Sequence, residues 1–364
     1  MLTAFQILGN LWLFVYMVFQ ILALLGFLIS EKNKKIKKYF PVSFVIAVWN
    51  EGSRIERCVN SILKQNYKEK IEIIVIGGGT DNTAEICKKL ERNGKIEYIE
   101  EKKRKGKWFA LNKAVKRTKY DLIAFVDGDC VLGKKWLEGA VSKINGIDLV
   151  ITREMSTTEK TYIGKAISMF QLLSFYAAKN LAKFFGLESF MGYGSIVKKS
   201  VFKKIKFKKS FVEDYWFCHD ARKGGFKINF ADDIIVFHSV PKKLKSLKDE
   251  FLRVMYGFNL EFRMKGAFFL KLYSVFIFLF LIGLPFYIYN IFNNDYISYF
   301  LSVFSIIIFL IYATICSLKQ KTLKYTFYIP HFIFFIIFLG IINFQVNLKI
   351  LREKRVDWNV FEKI

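Results

Sequence analysis

Long runs without any charged side chain, at both ends of the chain, constrain the fold most strongly. Residues 5–30 read FQILGNLWLFVYMVFQILALLGFLIS and contain no Asp, Glu, Lys or Arg. At about 1.5 Å per residue, a helix of this length crosses the hydrocarbon core of a bilayer, which is about 30 Å thick. The run is too long for the apolar part of a signal peptide and has no basic segment before it. We therefore expect an uncleaved membrane anchor.

Three further uncharged runs lie toward the C-terminus, and each is long enough to span a bilayer. They are Leu272–Asn294, Tyr296–Leu318 and Tyr325–Leu348. By the positive-inside rule, the five lysines between positions 32 and 38 indicate that the first run ends in the cytosol. Four spans would then leave the basic tail around Arg352 outside, which the same rule disfavours. The number of spans stays open, with one run re-entrant or interfacial as the alternative.

The composition favours an anionic partner. The chain is 53% hydrophobic and carries a formal net charge of +26, which suits a membrane surface with anionic lipids or an anionic substrate. Nucleic acid is the competing partner for a basic protein, but the uncharged runs fit poorly with a soluble nucleic-acid binder, so we expect none. Five scattered cysteines without a C-x-x-C pair indicate reduced thiols.

The region between the apolar ends alternates strand-like and helix-like segments. Val42–Val48, Ile71–Ile76 and Leu122–Val126 are short apolar runs typical of buried strands, and Arg54–Gln65 has apolar residues at helical spacing. This alternation predicts an α/β domain with a mixed, mostly parallel sheet whose ligands lie at the carboxyl ends of the strands. The expected division is an anchor (1–30), a cytosolic domain (31–243), an amphipathic interface segment (244–267), about three transmembrane helices (268–348) and a basic tail (349–364).

The segment Asp127-Gly128-Asp129 directly follows the predicted strand Leu122–Val126. Two carboxylates at a strand end can share a hard divalent cation that also binds phosphate oxygens. The alternative is a plain turn, since Asp and Gly are common turn formers. The position after a buried strand favours the metal site.

A second acidic pair, Glu213-Asp214, comes some eighty residues later. A carboxylate here could act as a general base that takes a proton from an acceptor hydroxyl. The alternative is that Asp214 is the N-cap of a helix over Tyr215–Lys223. Taken alone, the pair favours the cap.

Together these features resemble the family-two glycosyltransferases with the GT-A fold, over about residues 41–262. Seven segments carry the resemblance in the family's order: VSFVIAVWNEGSRIERCVNSILKQNY, IEIIVIGGGTDNTAEI, KGKWFALNKAV, LIAFVDGDC, GYGSIVKKSVF (an acceptor-side loop and helix), FVEDYWFCHDARKGGFKI and the strand VFHSVP.

The resemblance implies a function and a set of site residues. Asp127 and Asp129 would hold a divalent metal, Mg²⁺ or Mn²⁺, against a donor diphosphate, and Asp214 would be the general base of an inverting transfer. His238 would touch metal or phosphate, with a structural hydrogen bond as the alternative. The substrates would be a UDP- or GDP-linked sugar and a lipid or lipid-linked acceptor at the plasma membrane. The implied donor-binding positions are Glu51, Gly77, Asp81, Lys107, Asp127 and Arg253, and the acceptor-side positions are Gly192, Tyr193, Gly194 and Glu213.

The chain departs from the family in two places. Ile76 and Gly77 stand where relatives usually carry acidic residues that contact the nucleotide base, and this departure leaves the nucleotide open. The Q-x-x-R-W motif of processive synthases reads Glu250-Phe251-Leu252-Arg253-Val254. Arg253 could still pair with a diphosphate through its fork of donors. The missing Gln and Trp favour a single-transfer enzyme over a polymerising one.

The sequence contains two amphipathic segments. Tyr162–Phe185 and Leu244–Lys265 are expected either in the headgroup layer or packed on a protein core.

A degenerate, non-catalytic membrane scaffold is the alternative to an enzyme, and the missing carboxylate at Ile76 and Gly77 is its main support. A transporter is disfavoured, because none of the apolar runs contains an Asp, Glu, Lys or Arg.

Overall fold

The structure is a computed structural model that describes residues 4–29, 38–185, 193–241, 243–261, 290, 292 and 295–352. Two short 3₁₀ helices span Lys199–Lys203 and Lys324–Tyr328. The other elements are strands and longer helices. In chain order these are α1 (Ala4–Leu25), β1 (Val42–Trp49), α2 (Ser53–Leu63), β2 (Ile71–Gly78), α3 (Thr83–Arg92), β3 (Glu97–Glu100), α4 (Lys107–Val115), β4 (Leu122–Val126), β5 (Val131–Leu132), α5 (Trp136–Ser142), β6 (Leu149–Ser156), α6 (Tyr162–Phe185), β7 (Gly194–Lys198), α7 (Glu213–Lys223), β8 (Ile228–His238), α8 (Leu244–Glu261), α9 (Tyr296–Lys319) and α10 (Ile329–Arg352).

The chain forms two compact units. The sheet unit comprises Glu31–Thr157 and Glu188–Ser239, and the helical unit comprises Met1–Ser30, Thr158–Leu187 and Val240–Ile364. The expected division of the chain at residues 30, 243, 267 and 348 stays a prediction. Helix α6 belongs to the helical unit, where its apolar face packs on α1 and α10.

One eight-stranded sheet forms the centre of the sheet unit, in the order β3-β2-β1-β4-β7-β6-β8-β5. The first four strands in this order run parallel to one another. β7 runs antiparallel to both β4 and β6, and β5 runs antiparallel to β8. The prediction of an α/β fold with a mixed sheet is therefore confirmed, and the antiparallel strands lie in the half of the sheet that the sequence pattern described least.

The segment around Gly194 shows why that half was harder to predict. GYGSIVKKSVF resembled a loop followed by a helix, but Gly194–Lys198 forms β7, and only a short 3₁₀ helix follows it. β7 fills the space between β4 and β6 and pairs with both. Strand pairing with distant segments, and not local propensity, decides such a short strand.

Helices cover both faces of the sheet. On one face, alternate residues of β1, β2 and β4 pack on α2, α3 and α5 in one buried cluster. On the other, α4 packs on β1 and β2, and Phe125 of β4 contacts Phe202 and Phe207, whose rings stack on Phe217 of α7. This two-sided burial explains why β4 is apolar throughout and why its acidic residues come only after Val126.

Among its described residues, the helical unit contains two helices that are long and apolar enough to cross a membrane. By length and composition these are the segments Tyr296–Lys319 and Lys324–Val346, while α1 has a shorter apolar stretch over Gly9–Leu25. Nearly all of the uncharged run Leu272–Asn294 lies outside the described residues. The predicted number of spans therefore stays a prediction.

Polar contacts connect helices of this unit. Asn10 Nδ2 on α1 donates to Asp295 Oδ2, which precedes α9, at 2.9 Å. Ser298 Oγ lies 2.6 Å from Asn10 Oδ1 and 2.9 Å from Asp295 Oδ2, so its single hydrogen can be donated to either oxygen. On α6, Asn180 Nδ2 donates to the carbonyl of Ala23 at 2.8 Å. Both amphipathic segments pack on apolar helices of this unit, since Phe335 of α10 contacts ring residues of α6 and α8.

Candidate active site

The Asp127-Gly128-Asp129 segment forms a tight turn after β4. All five residues of β4 are buried, so side chains can reach solvent only beyond Val126. Gly128 lies close to β1: a Cβ atom at this position would stand 2.8 Å from Val48 Cγ1 and 3.1 Å from Glu51 Cγ. Asp127 and Asp129 therefore flank a position that has little room for a side chain, at the carboxyl ends of parallel strands.

Two buried cysteines hold this turn. The Cys130 N–H donates to the Asp127 carbonyl oxygen at 3.1 Å, and the Cys58 thiol donates to the same oxygen at 3.4 Å. The Cys130 thiol lies 3.8 Å from Asp129 Oδ1. All five cysteines of the chain are free and buried, in agreement with the expected reduced thiols.

Glu51 lies in the turn between β1 and α2. Asn50 before it has a left-handed backbone, with a φ of 59°. Thr83 Oγ1 accepts hydrogen bonds from the N–H groups of Glu51 and Gly52, each at 2.8 Å. Asp81 Oδ1 accepts from Thr83 Oγ1 at 2.6 Å and from Thr83 N at 3.0 Å. Although burial opposes it, these bonds hold the pKa of Asp81 below its usual value. Asp81 thus supports the turn that carries Glu51.

Ile76 and Gly77, where the family usually carries acidic residues, are close-packed. Ile76 is fully buried in the sheet unit. Gly77 pairs with Val48 across the parallel strands, and a Cβ atom on it would stand 1.8 Å from the Val48 carbonyl oxygen. A carboxylate at position 76 would be buried at a high free-energy cost unless it found a partner. The departure from the family pattern therefore has a packing cause.

Lys107, the first residue of α4, links the two acidic segments. Its Nζ lies 2.7 Å from Asp127 Oδ1 and 3.8 Å from Glu213 Oε1. Burial opposes the positive charge, but Asp127, Glu213 and Asp214 together raise the pKa of Lys107 above its usual value. The side chain is therefore a firmly charged ammonium beside several carboxylates.

Asp214 lies in the first turn of α7 and is not the N-cap. α7 begins at Glu213, and Val212 occupies the N-cap position without a side-chain cap hydrogen bond. The expectation that Asp214 caps the helix is therefore wrong. Its Oδ1 accepts a hydrogen bond from the Tyr215 N–H at 2.9 Å. Burial and the neighbouring Glu213 together raise the pKa of Asp214 to about 7, although Lys107 opposes both effects.

Three other carboxyl groups also hold protons more tightly than usual. Burial raises the pKa of Glu51 to about 7 and that of Asp129 to about 6. Burial, together with Asp214 and Asp127, raises the pKa of Glu154 to about 8. Glu154 lies on β6 opposite Val236 of β8, and the sequence analysis did not select it. The one available signal was a charged pair, Arg153-Glu154, just after the apolar start of β6.

The remaining acceptor-side residues and His238 have mainly structural contacts. The His238 ring stacks on Tyr193 with centroids 4.0 Å apart, and its Nδ1 donates to the Ser239 carbonyl oxygen at 3.2 Å. Burial lowers the pKa of His238 to about 4. Gly194 lies in β7, where its carbonyl oxygen accepts from Thr152 Oγ1 at 2.8 Å. Gly192 and the side chain of Arg253 lie outside the described part of the chain.

The acidic turn fits a divalent cation that a substrate helps to bind. Among the described residues, no group of three or more His, Cys, Asp or Glu side chains is arranged to hold a metal, so His238 does not complete a protein cage with Asp127 and Asp129. Mg²⁺ and similar ions usually take one or two carboxylates and complete their shell with water and phosphate oxygens. The raised pKa of Asp129, which burial and Asp127 cause, reflects negative charge that a cation would neutralise.

The mixed sheet, the acidic turn at its strand ends and the acidic start of α7 are features of a glycosyltransferase with the GT-A fold. Comparison with known proteins agrees, and the protein is a glycosyltransferase. Residues 43–206 match the family described as Glycosyl transferase family 2, and the chain carries a domain of that family. The predicted family and enzyme class are confirmed.

Two relatives illustrate how far the similarity extends. The chain is 29% identical to glycosyltransferase AglE of Haloferax volcanii over 226 residues, which cover 58% of this chain and 70% of that protein. It is 30% identical to the poly-beta-1,6-N-acetyl-D-glucosamine synthase of Staphylococcus epidermidis over 105 residues, which cover 29% of this chain and 25% of the synthase. The similarity to the synthase thus spans a quarter of its length.

A solved structure shares the fold over almost the whole chain. It is the mannosyltransferase PcManGT from Pyrobaculum calidifontis in complex with GDP-Man and Mn²⁺, with a TM-score of 0.65 and 14% identity. The similarity covers 96% of this chain and 100% of that one. At this level of identity it supports the fold alone.

Proposed function

We propose that the protein transfers a sugar, with inversion, from a UDP- or GDP-linked donor to a lipid or lipid-linked acceptor. The observation that carries this proposal is the position of Lys107. One ammonium contacts Asp127 after β4 and approaches Glu213 at the start of α7, so two acidic segments that are distant in the sequence lie close together. A donor diphosphate and an acceptor hydroxyl must meet in such a place.

The donor end of the site is formed by Asp127, Asp129, Glu51 and Lys107. Asp127 and Asp129 would hold Mg²⁺ or Mn²⁺. The bound metal ion would neutralise the negative charge that develops on the leaving diphosphate. Lys107 supplies a further positive charge for phosphate oxygens. The complex of PcManGT with GDP-Man and Mn²⁺ supports a nucleotide-sugar donor and a divalent cation.

Asp214 is the proposed general base. The acceptor oxygen forms a bond to the anomeric carbon, the bond to the diphosphate breaks, and the hydroxyl proton moves to Asp214. Attack opposite the leaving group inverts the anomeric centre. A pKa near 7, which burial and Glu213 produce, suits a base at neutral pH, because the carboxylate is partly available and still basic enough to accept the proton.

The proposed acceptor is a membrane lipid or a lipid-linked sugar. The uncharged run at residues 5–30, the two candidate spans near the C-terminus and the net charge of +26 support an integral membrane protein with its catalytic domain at the cytosolic face of the plasma membrane. The proposed division keeps the anchor before residue 31, the catalytic domain to residue 243, the interface segment to 267, the spans to 348 and the basic tail beyond.

A catalytically degenerate scaffold has weaker support. Its main argument was the missing acidic residue at Ile76 and Gly77, and the close packing of both residues gives that departure a different cause. A scaffold would also have no use for four carboxyl groups whose burial disfavours their charge, at Glu51, Asp129, Glu154 and Asp214. Such an arrangement is typical of catalytic sites.

The test is transfer of label from donor to lipid. Purified full-length protein in lipid nanodiscs is incubated with a panel of labelled UDP- and GDP-sugars, Mn²⁺ and a lipid extract, and products in the organic phase are identified by mass spectrometry. We expect one donor to label a lipid, and we expect Asp129→Ala and Asp214→Asn to reduce the labelling rate by about a hundredfold or more. Asp121→Asn, a matched exposed acid just before β4, should leave it intact. Equal labelling by all variants would refute the assigned chemistry.

A further inference from the structure

The ion pair between Lys107 and Asp127 is accessible to solvent and to ligands. The two side chains are 42% and 29% exposed, and their charged atoms lie 2.7 Å apart. The other cation beside this cluster, Arg54, is engaged elsewhere: its Nε lies 3.1 Å from Glu51 Oε2 and its Nη2 donates to the Asn50 carbonyl at 3.2 Å. Among the described residues, Lys107 is the cation that neutralises Asp127.

A divalent cation and the Lys107 ammonium compete for Asp127 Oδ1, the oxygen atom that Lys107 contacts. A metal ion bound to the oxygen atom that Lys107 contacts, Asp127 Oδ1, would lie about 2.1 Å from that oxygen and so about 4 Å from the ammonium. Repulsion at that distance is strong even in water. Glu213 Oε1, 3.8 Å from Lys107 Nζ, offers the ammonium an alternative partner without a change of backbone.

We propose that Lys107 is the resident counterion of the metal site. It neutralises Asp127 while the site is metal-free and is displaced when a divalent cation binds. The displaced ammonium then moves toward Glu213 and the donor diphosphate. The inference rests on the proposed function and adds a property to it: Lys107 competes with the bare metal ion and cooperates with it once the donor is present.

This exchange differs from a role in which Lys107 only contacts phosphate. A simple phosphate contact would leave the affinity for the bare metal unchanged when the lysine is replaced. The exchange requires that the affinity rises, because the metal no longer displaces a bound cation. Replacing Lys107 weakens metal-dependent donor binding under both the exchange and the simple phosphate contact. The affinity for the metal ion in the absence of donor therefore distinguishes the two.

The experiment is a Mn²⁺ titration of the full-length protein in nanodiscs without nucleotide. The concentration of free Mn²⁺ is measured by electron paramagnetic resonance. We expect Lys107→Met to bind Mn²⁺ about tenfold more tightly than the wild type, with a difference that shrinks as salt increases. Lys107→Arg, which keeps the charge, and Lys116→Met, an exposed lysine just after α4, should match the wild type. Equal affinities for Lys107→Met and the wild type overturn the inference.

A second measurement uses the wild-type protein and so does not depend on the folding of a variant. Reductive methylation followed by mass spectrometry should modify Lys107 several-fold faster with Mn²⁺ than without, whereas Lys116 should be modified at the same rate. An unchanged rate at Lys107 contradicts the exchange. If Mn²⁺ binds only together with a donor and Lys107 is unaffected, the proposed function stands and the inference fails; if Mn²⁺ binds under no condition, both fail.

Discussion

Burial, more than pairing with charges, determines how the site carboxyl groups titrate. Asp214 has the same neighbours as Lys107, yet its pKa is raised to about 7, first by burial and then by Glu213. The ammonium of Lys107 only partly offsets these effects. A carboxyl group in this environment changes its charge near neutral pH instead of near pH 4.

The first prediction concerns the base. Asp214→Asn removes the proton acceptor, so we expect the turnover number to fall by about a hundredfold to ten-thousandfold while donor binding is kept. In the wild type, kcat/KM should rise with pH through about 7, because only the deprotonated Asp214 accepts a proton. Initial rates between pH 5.5 and 9 test this. A flat profile with chemistry rate-limiting would remove Asp214 from its role.

The second prediction links Asp129 to stability. Its pKa is raised to about 6 in the folded protein. Between about pH 4 and 6 the folded protein therefore keeps a proton on Asp129 that the unfolded chain releases. For this reason the free energy of unfolding decreases as pH rises through this window. Without metal at pH 7.5, Asp129→Asn should therefore raise the free energy of unfolding by about 1 kcal/mol after screening by solvent.

The pH dependence provides the internal control for Asp129. At pH 4 the wild-type side chain is itself protonated, so the variant should gain little there. Thermal unfolding of the sheet unit in EDTA, followed by near-ultraviolet circular dichroism, measures both conditions. A variant that is less stable than the wild type at both pH values would contradict the electrostatic argument.

At the scale of elements, the close approach of β1 and β2 shapes the donor end of the site. Gly77 has a φ of 139°, and a Cβ atom there would collide with the Val48 carbonyl oxygen. The Gly77 carbonyl also accepts a hydrogen bond from the Tyr98 hydroxyl at 2.9 Å. β1 and β2 can thus lie close together at their carboxyl ends, where β1 continues into the turn with Glu51.

The third prediction tests this packing. Gly77→Ala should lower the free energy of unfolding by about 2–3 kcal/mol, because the strands must separate or the backbone must strain to admit the methyl group. Gly133→Ala is the matched control, since nothing lies within 4 Å of a Cβ atom at that position. Chemical unfolding of both variants measures the difference. Similar stabilities would show that β1 and β2 separate without cost.

The fourth prediction concerns the contact between α1 and α9. Asp295 Oδ2 accepts a hydrogen bond from Asn10 Nδ2 at 2.9 Å and lies 2.9 Å from Ser298 Oγ, and both Asp295 and Ser298 are buried. Asn10→Leu leaves the carboxylate without one partner, so we expect a loss of about 1 kcal/mol and a lower midpoint of thermal unfolding in detergent. Ile306→Val, on the exposed face of α9, should leave the midpoint nearly unchanged. An equal effect of both substitutions would contradict the polar contact.

At the scale of the whole molecule, the chain combines an α/β sheet unit with a unit of apolar helices. Many large apolar side chains of α9 and α10 are exposed in the structure, among them Phe300, Ile306, Phe334 and Phe344. Exposed apolar surface of this extent is typical of an interaction site. Because these helices are long and apolar enough to cross a membrane, we propose a lipid bilayer as the partner.

The fifth prediction follows from that surface. After expression, the protein should stay in the membrane pellet when the membranes are washed with carbonate at pH 11, and it should be released by detergent. Electrostatic attachment through lysines would fail at that pH, whereas helices that cross the bilayer resist extraction. Recovery of most of the protein in the carbonate supernatant would rule out integral insertion.

Much of the sheet unit could be predicted from local sequence. The strands at Val42, Ile71 and Leu122 begin at the expected residues, because buried strands need continuous apolar runs and their ends need polar turns. The contribution of β6 to the site could not be predicted. Glu154 reaches the acidic cluster only because β6 pairs with β8 in a particular register, and register depends on long-range contacts.

The sequence by itself determined the class of this protein: an α/β glycosyltransferase domain between apolar segments, with carboxylates after β4 and at the start of α7. Those features depend on hydrophobic periodicity and on residues that are neighbours in the chain. Only the tertiary structure decided that Lys107 joins Asp127 to Glu213 and that Asp81 acts through Thr83. It also decided that burial raises the pKa of the four acids of the site described above. Burial and charge proximity come from the packing of distant segments, which no local pattern encodes.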